Sequence, residues 1–305
     1  MLRFAISRLF STLPTLLLVV VVAFAMVHAA PGGPFDSARQ LPPEIEARMA
    51  AAYGLDAPLH EQFLRYVGGL MRGDFGPSYR YQGTTVAELI ADALPVSLLI
   101  GGLALVFGVV LGVAAGTASA LNQNRWSDHV LITISMTGIS IPNFVVAPLL
   151  VLLFAIQLKW LPASGLRGPA SYILPVFALA LPMLAYVARL MRASMIEVFK
   201  SQFISNARAQ GLHRNTLVFR YALKPALIPV VSFLGPAVAG VLPGSVVIEQ
   251  VFNLPGLGRL FIQGALNRDY TLVMALVILY SAVVITMNFL VDLIYGLLDP
   301  RVRYT

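Results

Sequence analysis

Apolar residues fall along this chain in blocks far longer than a water-exposed helix would carry. Six blocks have the length, roughly 20 residues, that a helix needs to cross about 30 Å of hydrocarbon: residues 9–29, 94–121, 130–158, 172–188, 226–248 and 271–294. Polar residues collect between the blocks, in one long segment over 31–93 and one basic stretch over 189–224. The pattern predicts an all-α integral membrane protein of six transmembrane helices with a long loop after the first. Arg3 and Arg8 precede the first block and Ala29-Ala30 follow it, as in a secretory leader. Its apolar run exceeds the 7–15 residues of a leader core, so it is read as an uncleaved anchor.

The blocks are interrupted in a telling way. Pro142-Asn143 and Pro148 break the third, Pro175 and Pro182 the fourth, and Gly235-Pro236, Gly240 and Pro243-Gly244 weaken the fifth. A proline frees a backbone carbonyl, which is tolerated in a membrane where helices pack or line a cavity. Asn143, Gly240, Gly244 and Glu249 are therefore the candidates for lining a passage. In the second block Gly108, Gly112 and Gly116 form a double GxxxG stripe, read as a helix-packing face.

The polar segment over 31–93 carries its own local signals. Pro43 opens a helix over 44–52 that Gly54 ends, and Pro58 opens another running to about Arg72. Thr85 with Glu88 forms a capping box before Leu89-Ile90, and Gly73-Asp74-Phe75-Gly76-Pro77-Ser78 reads as a compact turn. A solvated connector is the alternative reading of the segment.

Composition agrees with the blocks: of 305 residues, 58% are hydrophobic and 11% charged, with mean hydropathy +0.81, against roughly 25% charged in a water-soluble domain. The net charge of +7 sets orientation and does not point to nucleic acid. With both termini inside, Arg3, Arg8, Arg125, Arg189, Arg192, Lys200, Arg208, Arg214, Arg220, Lys224, Arg301 and Arg303 face the cytoplasm. The short outer loops then hold only Lys159, Arg167, Arg259 and Arg268, as the positive-inside rule requires. There is no cysteine, which excludes disulfides and thiol nucleophiles. His28, His60, His129 and His213 lack chelating spacing, so no metal site is expected.

A transporter must couple to an energy source. The dipeptide Gly-Lys is absent, so no Walker A loop exists to cradle a nucleotide. The block centres contain no ionisable residue that could relay protons or sodium, and Glu249 and Asp292 are expected at helix ends, within reach of interfacial water. The chain is predicted to be no enzyme and to bind no cofactor. Its energy comes from a partner, or it is a passive channel.

The basic stretch is where a partner would act. Ala207, Arg208, Ala209 and Gln210 are good helix formers and Gly211 suits the C-cap, giving a short helix over 206–212. Asn215 or Thr216 then caps a second helix over 217–223, stopped by Pro225. Residues Ser205, Asn206, Ala207, Arg208, Ala209, Gln210, Gly211 and Leu212 resemble the cytoplasmic Glu-Ala-Ala-x-x-x-Gly loop of permease subunits in bacterial ATP-binding-cassette importers. Gly211 matches the glycine and Ala207 the second alanine; Ser205 and Asn206 stand at the Glu and first Ala positions. Leu223 fits the later Leu-Pro, with Lys224 before the displaced Pro225.

Other stretches extend the resemblance almost end to end: 73–78, 222–227, Leu254-Pro255-Gly256-Leu257-Gly258, Asn267-Arg268-Asp269-Tyr270 and 299–304 are similar to the oligopeptide and dipeptide importer branch, B-type subunit. Nickel and glutathione permeases share this vocabulary. The resemblance implies a type I importer permease: residues 1–93 as first helix and long periplasmic loop, 94–296 as transmembrane domain with a coupling loop over 189–225, and 297–305 as a cytoplasmic tail in a bacterial inner membrane. It further implies a homologous C-type permease, two cytoplasmic ATPases holding ATP and Mg, an extracytoplasmic peptide-binding protein, and a peptide as cargo.

Overall fold

The computed structural model describes residues 2–29, 54–81 and 83–298. In chain order its helices are α1 (Leu2–Ala29), α2 (Leu59–Leu70), α3 (Val86–Leu121), α4 (Trp126–Ser140), α5 (Asn143–Leu150), α6 (Ile173–Phe199), α7 (Gln202–Ala209), α8 (Ile228–Val251), α9 (Leu257–Leu266) and α10 (Tyr270–Leu298). Among the described residues five helical stretches are long and apolar enough to span a bilayer, six where the bent pair α4–α5 counts as one span. The helix expected over 44–52 and the tail over 299–305 lie outside the described residues. The chain forms two compact units, one of residues 98–254 with 1–8 and 284–305, the other of 9–97 with 255–283. This partition differs from a boundary at residue 93, because α3 runs unbroken through that point and residues 255–283 pack with the polar segment.

The first unit is organised by α6. Gly108, Gly112 and Gly116 of α3 lie against its backbone: a Cβ on Gly112 would stand 2.7 Å from the Val187 Cβ and 2.9 Å from the Leu184 carbonyl oxygen. On Gly108 it would meet the Met183 Cγ at 2.8 Å, and on Gly116 the Met191 Cβ at 2.7 Å. The stripe is therefore a packing face. Small residues let helices approach closely where lipid offers no hydrophobic drive for association. α4 uses the same device through Gly138, whose Cβ would meet the Leu181 carbonyl oxygen at 2.9 Å. Met183, Val187, Met191 and Met195 then join Ile204, Val218, Ala222 and Ala226 in one buried core.

The third predicted span is broken, with α4 and α5 meeting at 105°. Ile141 is extended (φ −101°, ψ 120°), as a residue preceding proline prefers, and Pro142 offers no N–H to continue the ladder. A wide turn over Val151–Gln157 follows Pro148. In contrast, α6 does not stop at the membrane boundary expected near 188; it continues to Phe199.

The second unit follows the sequence signals closely. Pro58 precedes α2, and Gly73 and Gly76 turn the chain with φ of 76° and 84°, a region that favours glycine. Asp74 Oδ1 accepts the Gly76 N–H at 2.8 Å. The capping box forms both its bonds: the Thr85 N–H donates to Glu88 Oε2 at 2.9 Å and the Glu88 N–H to Thr85 Oγ1 at 3.2 Å. Asp269, wholly buried, gathers the segment. Its carboxylate accepts the Ser78 hydroxyl and the Tyr79 and Arg80 N–H groups, while the Thr271 hydroxyl reaches the Pro77 carbonyl at 2.7 Å. Val86, Ile90, Leu257, Leu272 and Leu276 form the apolar core beneath. The long segment is ordered over its described part, not a solvated connector.

The glycine stripe makes a sign-dependent prediction. Gly112→Leu forces α3 off α6 and lowers stability by about 3 kcal/mol, the upper range for overpacking. Gly102 of the same helix has nothing within 4 Å of an added Cβ, so Gly102→Ala is neutral or stabilising by about 0.5–1 kcal/mol. Thermal unfolding of both variants in detergent checks the contrast.

Candidate functional site

Three connected pieces build the elbow that follows α6. α6 ends at Phe199, with the Lys200 and Ser201 N–H groups bonded back to the Glu197 and Val198 carbonyls at 3.1 and 3.0 Å. α7 then covers 202–209, so the short helix begins four residues earlier than its propensities suggest. Its end is a Schellman cap: the Gly211 N–H donates to the Arg208 carbonyl (3.0 Å) and the Leu212 N–H to the Ala207 carbonyl (3.4 Å), with Gly211 at φ 81°. Ser205, at the position of the missing acid, turns its hydroxyl to the Ser201 carbonyl at 3.3 Å. Only Ile204 and Ala207 of α7 are buried; Phe203, Ser205, Asn206, Arg208, Ala209 and Gln210 are exposed.

Beyond Gly211 the second helix differs from expectation. His213 caps it, accepting the Asn215 N–H at 3.4 Å, and Pro225 does not stop it. A wide-turn stretch over Leu217–Ala222 precedes the proline, and helix resumes through Leu223–Ala226 into α8. Wide turns inside a helix accommodate an irregular ladder, which is what the absent Pro225 N–H creates.

The elbow is tied to the turn between α3 and α4. Arg214 Nη2 donates to the Leu121 carbonyl at 3.1 Å. That turn is fixed by Asp128, 1% exposed, in the first turn of α4. Its carboxylate takes a two-pronged bond from Arg192 of α6, at 2.8 Å from Nε and 2.7 Å from Nη2. It also accepts the Asn124 N–H at 2.9 Å and the Ser119 hydroxyl. The first turn of a helix favours an acid electrostatically, and a forked guanidinium–carboxylate pair is geometrically specific. Sequence reading missed this pin: Arg192 passes as a topology-setting charge, and its partner lies 64 residues away.

The four passage candidates are placed unequally. Asn143 opens α5 directly after the break, with its Oδ1 buried and without a hydrogen-bond partner among the described residues. Gly240 is exposed on α8, with open space where a Cβ would stand. α5 packs against α8, so these two residues sit on neighbouring helices. Gly244 belongs to α8 at a position whose surroundings lie outside the described residues, as does the Asp292 side chain. Glu249 is fully buried and does not reach interfacial water. The chain folds back over it: the Leu254 N–H bonds to the Glu249 carbonyl at 2.8 Å, and Phe252 and Leu254 are themselves buried.

Comparison with known proteins places these features in context. Residues 108–304 match the family described as binding-protein-dependent transport system inner membrane component, and residues 1–100 match its N-terminal companion. The chain is 50% identical over 306 residues to the oligopeptide transport system permease protein OppB of Haemophilus influenzae, with 100% of both chains covered. It is 48% identical to the Escherichia coli protein of the same name, again over 100% of both. To the dipeptide transport system permease protein DppB of Bacillus subtilis it is 38% identical, covering 99% of this chain and 98% of the other. Among solved structures, an inward-facing MetNI methionine ABC transporter matches with TM-score 0.57 and 18% identity over 69% of this chain and 96% of that one. An amino acid ABC transporter solved with histidines matches with TM-score 0.54 and 21% identity over 68% and 93%.

The Asp128 pin has a measurable weight. Asp128→Asn leaves the Arg192 guanidinium without its counter-charge and costs about 3 kcal/mol, the lower end for breaking a buried pair, since Arg192 keeps 28% side-chain exposure. The double variant Asp128→Asn with Arg192→Met removes the unpaired charge while an amide oxygen stays available to the Asn124 N–H and the Ser119 hydroxyl, and recovers most of that loss. Thermal unfolding of the single and double variants measures the difference.

Proposed function

Because the chain belongs to the family of binding-protein-dependent transport system inner membrane components, we propose that it is the transmembrane permease subunit of an ATP-driven oligopeptide importer. The observation that carries this reading is the 50% identity to an oligopeptide permease, which runs through the whole chain, elbow and outer segment included. Oligopeptide is preferred to dipeptide because identity to the dipeptide relative is 38%. This multi-pass protein sits in a bacterial inner membrane with both termini in the cytoplasm, and it forms half of a passage whose other half is a homologous permease.

The elbow at residues 205–212 receives the push of two cytoplasmic ATPases. Those partners hold ATP and Mg and perform hydrolysis; this chain binds no cofactor and has no catalytic residue. A binding protein delivers the peptide from outside, over the segment gathered by Asp269. α7 is anchored through Ile204 to the core that contains Met191 and Met195 of α6, so displacement of the elbow moves α6, and with it α3 and α4, which lie against its backbone. Peptides differ in side chains and share a backbone, so a passage without ionisable groups at mid-membrane suits a mixed cargo. Asn143 and Gly240 border that passage; Glu249, sealed in its turn, supports the fold around it.

Two measurements test the reading. Mild-detergent purification of the chain from native membranes brings down a homologous permease and ATPase subunits; a folded chain that emerges alone points to an autonomous carrier instead. Within the assembled importer, Gly211→Val sets a β-branched residue at φ 81°, adding about 1–2 kcal/mol of left-handed strain, which corresponds to roughly a tenfold loss of coupling. Labelled-peptide uptake by proteoliposomes falls by that factor while ATP hydrolysis persists.

A further inference from the structure

Beside the elbow lies a cavity of about 590 Å³, and its lining is electrically one-sided. Arg125 enters from the α3–α4 turn, Arg208 from α7 and Arg214 from the residue after the His213 cap, over an apolar floor that includes Leu121, Phe199 and Leu217. Among the described residues no carboxylate lines it. Asp128, the acid closest in sequence to Arg125, is bound by Arg192, Ser119 and Asn124. Arg214 is held by one bond to the Leu121 carbonyl. Three arginines thus share the walls of one cavity, and an anion placed between them gains from all three.

Resting on the reading of the elbow as an ATPase-docking element, we infer that this cavity is a socket for an acidic, apolar-tipped segment of the cytoplasmic ATPase. The two halves of the lining ask for two properties in one occupant. Guanidinium forks match carboxylates, and the leucine and phenylalanine floor takes an apolar side chain. A free phosphate would leave that floor uncovered. A lipid headgroup fits poorly for a reason of depth. With the hydrocarbon edge set at Arg189, where the fourth apolar block ends, Phe199 stands ten residues further along α6, or about 15 Å at 1.5 Å per residue, whereas the headgroup layer adds only about 5–8 Å to each side of the hydrocarbon. A partner that engages the exposed face of α7 already touches Arg208, so the socket continues that same contact.

The intact permease–ATPase complex provides the test. The chain has no cysteine, so Gln123→Cys, at the cavity wall, carries a benzophenone photo-crosslinker as the sole labelled thiol of this subunit. Crosslinks are expected on an ATPase segment bearing Asp or Glu beside an apolar residue. Adducts on lipid, on an ATPase segment without acids, or none at all would overturn the socket. Protection of the thiol by excess inorganic phosphate in the same complex would also overturn it, in favour of a small-anion site.

The double variant Arg125→Glu with Arg208→Glu should lower ATPase retention during purification by about tenfold or more, as loss of charge-assisted pairs predicts. Reversing the crosslinked acids of the ATPase to Lys should restore it; failure to restore counts against the proposal. If wild-type complex brings down no ATPase, the functional reading itself fails, before any variant is made. If ATPase is retained and the crosslinks lie elsewhere, only the socket fails.

Discussion

Everything in the larger unit depends on how closely α3 and α4 can lie against α6. In lipid, a leucine gains nothing by leaving the acyl chains for another helix, so association rests on close packing and on contacts between backbones. Gly108, Gly112, Gly116 and Gly138 provide that approach, each occupying a position where a methyl group would collide with α6. α6 answers with alanines at 178, 180, 185 and 188, all buried. The result is a 27-residue rod held closely by α3 and α4 and packed also by α5 and α8, with its far end left to carry the elbow. A rod so held cannot bend locally without opening several close contacts at once, and this makes it suited to transmit a displacement from one end.

Buried charge is used sparingly and at the corners. Asp128 and Asp269 each stand at the start of a helix, are almost wholly buried, and accept a serine hydroxyl together with backbone N–H from the preceding turn or loop. Burying a carboxylate is costly unless its lone pairs are filled, so each becomes the point from which a turn's geometry is set. Asp128 adds a guanidinium from α6, which fastens the α3–α4 turn to the rod that carries the elbow. Within the first unit the Asp128–Arg192 pair thus serves to fix the end of a helix.

What could be read from the chain beforehand was whatever has a local cause. The capping box at Thr85 and Glu88, the turn over Gly73 to Ser78, the Gly211 cap and the packing role of the glycine stripe each depend on residues within one or two turns, and each appears. The 105° break was legible in location, from Pro142, but not in size, because the angle is decided by what α4 and α5 pack against. The length of α6 was hidden by its own composition: Arg189, Arg192 and Glu197 look like loop residues after an apolar block, yet all are acceptable helix formers and the core around Met191 and Met195 keeps the helix going. Glu249 misled for a similar reason. A charged residue near a helix end suggests water, and only the fold-back through Leu254 shows otherwise. The Asp128–Arg192 pair left no trace, since nothing in a single sequence couples positions 64 apart.

The elbow is a compromise between order and availability. An eight-residue helix is well below the length at which a helix holds in isolation, about 12–15 residues, and α7 buries only Ile204 and Ala207. Its rigidity must come from its ends: the back-bonded turn at Lys200 and Ser201, the Schellman cap at Gly211, and the Arg214 bond to Leu121 just beyond. None of these uses the side chain at position 205, so the loss of an acid there does not unpick the local fold. Nearly all of the helix surface remains exposed, with its backbone already paid for. Binding to such a surface would order little that is not ordered already.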